Sequence, residues 1–165
     1  MKVIKAHSLG EEIDVLVDDE NFEELNHFRW NLKRHPGVTY VVRPIRLAGK
    51  TVSWIKMHRQ ILNQTDPHKL VDHINHDGLD NRKQNLTVCT QSQNKKNYKV
   101  RRNGYKGIAF TDDKKRYRAR IMSDGKLTNL GTFDTELEAA VVYDFYATLY
   151  HGQFACLNFP LSKAR

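Results

Sequence analysis

Four side chains between residues 72 and 94 have the types and the spacing to hydrolyse a phosphodiester bond. That reaction needs a base to take a proton from water, a cation to stabilise charge on the phosphate and the leaving oxygen, and a group that holds the base still. His73 suits the first task, because an imidazole titrates near ~6.5, close to neutral pH. Asp72, and Asn94 22 residues after it, offer the hard oxygen donors that Mg²⁺ or Mn²⁺ prefers. Asn85, 12 residues beyond His73, suits the positioning role.

The local pattern says how these groups are brought together. Residues 69–74 have the composition of a short strand, residues 75–85 form a polar loop containing Gly78, and residues 86–89 form a second strand. Thr90 with Gln93 makes a capping box, which starts a helix near Gln91 and puts Asn94 in its first turns. Strand, loop, strand, helix is the expected order. Within it, Asn81 is assigned to shaping the loop and His76 to the solvent, and Asn97, one helical turn past Asn94, is a reserve candidate. His58 falls on a helix expected over residues 56–62 and is assigned to packing.

This arrangement resembles the HNH nucleases, and in particular their phage and intron-encoded homing branch, in residue order and in spacing. The resemblance implies a ββα-metal finger over about residues 56–97. In it His73 is the general base, Asn85 holds the loop and the imidazole, and Asp72 with Asn94 binds the metal.

The charge pattern agrees with a polyanionic partner. The 165-residue chain has a formal net charge of +8. Residues 1–50 carry eight basic and eight acidic side chains, whereas residues 95–126 carry twelve and three, which starts the positive field where the finger ends. Two cysteines, Cys89 and Cys156, are too few and too far apart for a zinc ribbon or a disulfide framework, and their apolar neighbours make them core residues. No apolar run is long enough to cross a membrane, and the first residues lack the apolar core of a signal peptide. A soluble, intracellular protein of the cytoplasm follows, with no membrane partner.

Residues 98–104 are basic, lack apolar periodicity and end in the turn signal Asn103-Gly104, as a linker does. Three short strands are expected beyond them, over residues 106–111, 115–122 and 126–131, with Asp124-Gly125 as a tight hairpin turn. Alternation puts Arg116, Arg118 and Arg120 on one face of the middle strand and Tyr117, Ala119 and Ile121 on the other. Same-face side chains stand about 6.6 to 7 Å apart along a strand, a spacing that suits phosphates and base edges in a DNA groove. No obvious counter-charge faces the arginines in sequence. Thr135 and Glu138 make another capping box, and Leu137, Ala140, Val141, Phe145 and Leu149 recur at helical spacing, so a helix over residues 136–150 should cover the apolar face of the sheet.

Residues 104–160 resemble the AP2 DNA-binding domain in Tyr105-Lys106-Gly107-Ile108, Arg118-Ala119-Arg120-Ile121, Leu130-Gly131-Thr132-Phe133, Glu138-Ala139-Ala140, Tyr143-Asp144 and Asn158-Phe159-Pro160. The resemblance implies a sheet that enters the major groove of double-stranded DNA, with Lys106, Arg116, Arg118 and Arg120 as contacts. Ala109, Met122 and Asn129 depart from the plant pattern, which transfers the docking mode without the target sequence.

The N-terminal region shows a strand over residues 13–17, a short helix over 21–27 and a hairpin of residues 39–47 and 51–55, with Phe28, Trp30 and Trp54 as core aromatics. The fold expected is therefore α+β. A β-rich region leads into the HNH finger (residues 1–97), a linker follows (98–104), and a three-stranded antiparallel sheet packs on one helix (105–160). The function expected is that of a Mg²⁺-dependent (or Mn²⁺-dependent), site-specific DNA endonuclease, acting as a monomer and nicking the duplex. The alternative is a non-catalytic, sequence-specific DNA-binding regulator whose finger is structural.

Overall fold

The computed structural model describes residues 1–35, 37–97, 104–112 and 115–160. The chain is a mixed α+β protein in which sheets predominate, and it divides into two compact units, Met1–Gln91 and Ser92–Arg165. Of the linker expected at residues 98–104, all but Gly104 lies outside the described residues.

The first unit is built on a five-stranded sheet, ordered β2-β1-β3-β4-β5, from β1 (Lys2–Ser8), β2 (Glu11–Val17), β3 (Trp30–His35), β4 (Val38–Leu47) and β5 (Lys50–Lys56). Its pairs are antiparallel except β1 with β3, which run parallel. A parallel pair needs a crossover. Helix α1 (Asp19–Asn26) supplies it, and packs on β1. Alternation explains the core: Ile4 and Ala6 of β1 and Val15 and Val17 of β2 are buried with Leu25, Trp30, Val41 and Met57. Trp30, fully buried, donates its indole N–H to the Leu25 carbonyl at 2.8 Å. Trp54 and Phe28 are not core residues; they remain 46% and 36% exposed. Trp54 lies on edge strand β5, which is exposed along most of its length, and Phe28 follows the helix and lies under the Arg43 guanidinium, 4.0 Å away.

A short helix, α2 (Met57–Ile61), leads to a two-stranded antiparallel sheet of β6 (Leu70–His73) and β7 (Leu86–Cys89), in which Asp72 pairs with Thr87 and His73 with Leu86. A 3-10 turn at Lys83–Asn85 closes the loop between them. Helix α3 (Gln91–Lys96) begins at the boundary of the units.

The second unit has a three-stranded antiparallel sheet, ordered β10-β9-β8, made of β8 (Ile108–Thr111), β9 (Arg116–Ser123) and β10 (Lys126–Phe133), with α4 (Glu136–His151) packed on it. Thr135 and Glu138 form the reciprocal capping box at the start of α4. The face α4 turns to the sheet differs from the expected one. Of the expected set Ala140 is buried, together with Ala139, Tyr143, Ala147 and His151, while Leu137, Val141, Phe145 and Leu149 are more than half exposed. Both sets recur at helical spacing, because the helix is apolar nearly all round, so periodicity does not choose between them. Close approach does: small alanines let the helix backbone lie near the sheet. Gly107 shows how near. A Cβ there would stand 2.1 Å from the Tyr143 ring and 2.6 Å from the Arg120 carbonyl oxygen.

Among the described residues no helix is long and apolar enough to cross a membrane. Cys89 and Cys156 are both buried, and burial lifts the Cys89 thiol to about 11.

Candidate functional site

The loop between β6 and β7 is held by its own side chains. Asn85 accepts the Asn75 N–H at 3.0 Å, and its amide nitrogen donates to Asn75 Oδ1 at 2.9 Å and to the Asp80 carbonyl at 2.7 Å. With the Ile74 N–H donating to the Asn85 carbonyl at 2.9 Å, these bonds lock the two ends of the loop together. Asp80 is buried and receives both Nε and Nη2 of Arg82 at 2.7 Å, which holds its carboxyl below the usual range.

The five-stranded sheet anchors this loop from outside. The Leu16 N–H donates to the Leu79 carbonyl at 2.9 Å and the Asn81 N–H to the Leu16 carbonyl at 2.8 Å, so the loop pairs with edge strand β2. Gly78 packs on β4 so closely that a Cβ would fall 1.7 Å from the Thr39 carbonyl oxygen. The N-terminal strands are thus the platform on which the loop is set.

His73 ends β6 and is 3% exposed. Its Nε2 lies 3.3 Å from Asn81 Oδ1, and Asn81, fully buried, is itself fixed by donating to the Gly78 carbonyl at 3.0 Å. Asn81 is therefore an amide against the imidazole, a place that sequence spacing assigned to Asn85, whose side-chain hydrogen bonds go to Asn75 and Asp80 of the loop. Two further rings frame His73. His58 of α2 meets it edge-on at 5.0 Å between centroids, and Tyr40 of β4 lies 5.3 Å from His58 and 6.5 Å from His73. Burial lowers the His73 pKa, opposed by the Asn81 hydrogen bond and by the carboxylates of Asp72, Asp77 and Asp80. A neutral imidazole is the form that can accept a proton. His58, 2% exposed and crowded by His73, Lys56 and Arg59, is lowered to about 3.

Asp72 precedes His73 on β6, half-buried, with Oδ1 accepting the His73 N–H at 3.0 Å. Its charge reaches Tyr40, whose phenol is raised by burial and by Asp72. Asn94 sits on α3 in the second unit, so the two proposed metal ligands belong to different units. Among the described residues no group of three or more His, Cys, Asp or Glu side chains could hold a metal ion. A carboxylate and an amide each offer oxygen donors, the chemistry that a hard divalent cation takes.

In the second unit, Arg118 and Arg120 follow each other on one face of β9, Arg118 half-buried and Arg120 exposed, while Ala119 and Ile121 are buried on the other. Arg116 has a counter-charge that the sequence does not reveal: its Nε lies 2.7 Å from Asp134 Oδ1, an ion pair without hydrogen-bond alignment. Lys106 is turned inward, its Nζ donating to the Lys96 carbonyl at 2.6 Å, and burial lowers its pKa. Its backbone is tied at both polar atoms to Asn158.

Asn81, His58 and Tyr40 are the residues near His73 that sequence reasoning left out of the site. Asn81 lies eight positions from His73 in the same polar loop, a signal that was present. Tyr40 had none, because only the sheet brings it near.

An α+β protein with a buried histidine on a short hairpin is the class these features define. No family model matches the chain. Over 88 residues, 53% of its length, it is 33% identical to a protein of Acanthamoeba polyphaga mimivirus named an uncharacterized HNH endonuclease. The chain spans 46% of that relative.

Proposed function

We propose that this protein is a divalent-metal-dependent DNA endonuclease of the HNH type, in which β6, β7 and α3 supply the nuclease finger and the second unit docks on duplex DNA as AP2 sheets do. The observation that supports this best is His73, buried and held between Asn81 and the ring of His58. The likeness to the mimivirus protein named an HNH endonuclease supports the same reading.

His73 takes the proton of an attacking water as that oxygen bonds to phosphorus. Asn81 orients the imidazole, and Asn85 keeps the loop closed so that the ring does not swing away. Asp72 and Asn94 would each offer an oxygen to Mg²⁺ or Mn²⁺, which would supply positive charge to the phosphate and to the departing 3′ oxygen. Arg118 and Arg120 of β9 engage the duplex, with Arg116 and Lys106 as weaker contributors because each already has a partner. One finger in a monomer cuts one strand per engagement, which makes nicking the expected outcome.

The test is supercoiled plasmid incubated with the protein in Mg²⁺ and in chelator, beside Asp72→Ala and Asn94→Ala. Open circles in Mg²⁺ alone, reduced in both variants, are expected. A protein that binds the plasmid and leaves it supercoiled in every metal is instead a DNA-binding regulator.

A further inference from the structure

Charge in the first unit is segregated along the chain. Residues 11–24 contain all eight carboxylates of the first fifty residues, and residues 25–65 contain eight basic side chains and no carboxylate. That second stretch builds β3, β4, β5 and α2. The apparent neutrality of residues 1–50 therefore hides a cationic run through β3, β4, β5 and α2, and the positive charge does not begin at the end of the finger.

Register shows which cations share a face. Lys33 pairs with Tyr40 and Lys56 with Val42, and directly paired residues in an antiparallel ladder point to the same side. Tyr40 and Val42 are two apart on β4, so Lys33, Tyr40 and Lys56 lie on one face. It is the face that meets the histidines, since the Tyr40 ring contacts both His58 and His73. Lys56 Nζ stands 4.5 Å above the Tyr40 ring. Arg34, paired with Thr39, is on the opposite face.

The cluster lacks internal neutralisation. Among the described residues neither Lys33 nor Lys56 forms an ion pair, and both are exposed. Lys56 is held below its ordinary pKa by burial of its stem and by the like charges of Arg59 and Lys33. Arg59, one of those like charges, is held in place by donating its guanidinium to the Lys69 and Asp66 carbonyls at 2.7 Å. Two neighbouring ammonium groups, one over an aromatic ring, gain most from an anion that several donors can share.

We infer that Lys33, Tyr40 and Lys56 form a seat for a backbone phosphate of duplex DNA beside His73, a contact separate from the β8–β10 sheet. The inference rests on the endonuclease reading for its ligand. The seat fixes the strand next to the base, and the lysines neutralise the phosphate that it holds.

The test measures binding of a short mixed-sequence duplex by the full chain carrying His73→Ala, in chelator, by fluorescence anisotropy across a salt series. Adding Lys33→Ala or Lys56→Gln should each flatten the slope of log affinity against log salt by about 0.9. The glutamine keeps much of the stem over Tyr40 while removing the charge, and circular dichroism checks that the fold persists. Arg34→Ala, on the other face, should leave the slope unchanged. Slopes equal to the parent's in both lysine variants, or an equal loss in Arg34→Ala, would overturn the seat. Because no cleavage enters this measurement, a wild-type protein that never cuts defeats the nuclease reading without touching the seat, and lysine variants that bind like their parent defeat the seat alone.

Discussion

At the scale of single residues, two buried asparagines share the work that spacing gave to one. Asn85 makes three side-chain hydrogen bonds that all close the loop, whereas Asn81 meets the His73 ring. Asn85→Ala should therefore destabilise the protein by about 1–3 kcal/mol, the cost of stranding buried polar partners, read as a shift in the denaturant midpoint. Asn81→Ala should in addition lower the cleavage rate when DNA binding is saturated; equal rates would remove its orienting role. His58 adds a pH signature to stability. Its pKa falls to about 3 in the folded chain, against ~6.5 for a free imidazole. Below pH ~6.5 the unfolded chain binds the extra proton, so stability is lost as pH falls from there toward about 3, by up to about 1.4 kcal/mol per pH unit. His58→Phe keeps a ring and cannot charge. The drop in melting temperature between pH 7 and pH 5 should be smaller in that variant than in wild type; an equal drop would contradict the assignment.

At the scale of elements, the two units depend on close approaches that one atom would spoil. Gly107 has φ of +77° and lies against Tyr143 and the Arg120 carbonyl. Gly107→Ala should cost well over about 1 kcal/mol, since it is both strained and crowded. Thr135→Ala removes the α4 cap and should cost about 1 kcal/mol. Thermal unfolding should rank Gly107→Ala below Thr135→Ala, and the reverse order would refute the packing described for α4. The legible parts of the sequence were those with local signals. The capping box at Thr135, the turn at Asp124-Gly125, where φ is positive at both residues, and the strands either side of the polar loop depend on neighbours in sequence. Strands β1 and β3 were not read from the sequence although each pairs with the strand that follows it, β2 and β4; the long-range part of their placement is the parallel pairing of β3 with β1 and the burial of Trp30. The face of α4 escaped notice because both of its sides are apolar.

At the scale of the whole molecule, each unit carries its own cationic stretch of sequence, residues 25–65 in the first and residues 95–126 in the second, and the carboxylates of residues 11–24 precede the first of them. Local motifs made Asp72, His73 and Asn85 visible in the sequence, but the sheet beneath the loop, and with it Tyr40 and the Asn81 anchor, arises from contacts across more than thirty residues that no local pattern records. On the second unit, Arg118→Ala and Arg120→Ala should each flatten the salt dependence of DNA binding by about one. Arg116→Ala should change it less, because Asp134 already neutralises that charge. Equal effects from all three would mean that the ion pair opens on binding. The most direct test of the central claim is the single-turnover nicking rate on supercoiled plasmid in Mg²⁺, with protein in excess, for wild type and His73→Ala. Loss of the general base should slow nicking by about 10²–10⁴-fold with DNA binding retained; nicking by His73→Ala at the wild-type rate would contradict the role given to the imidazole.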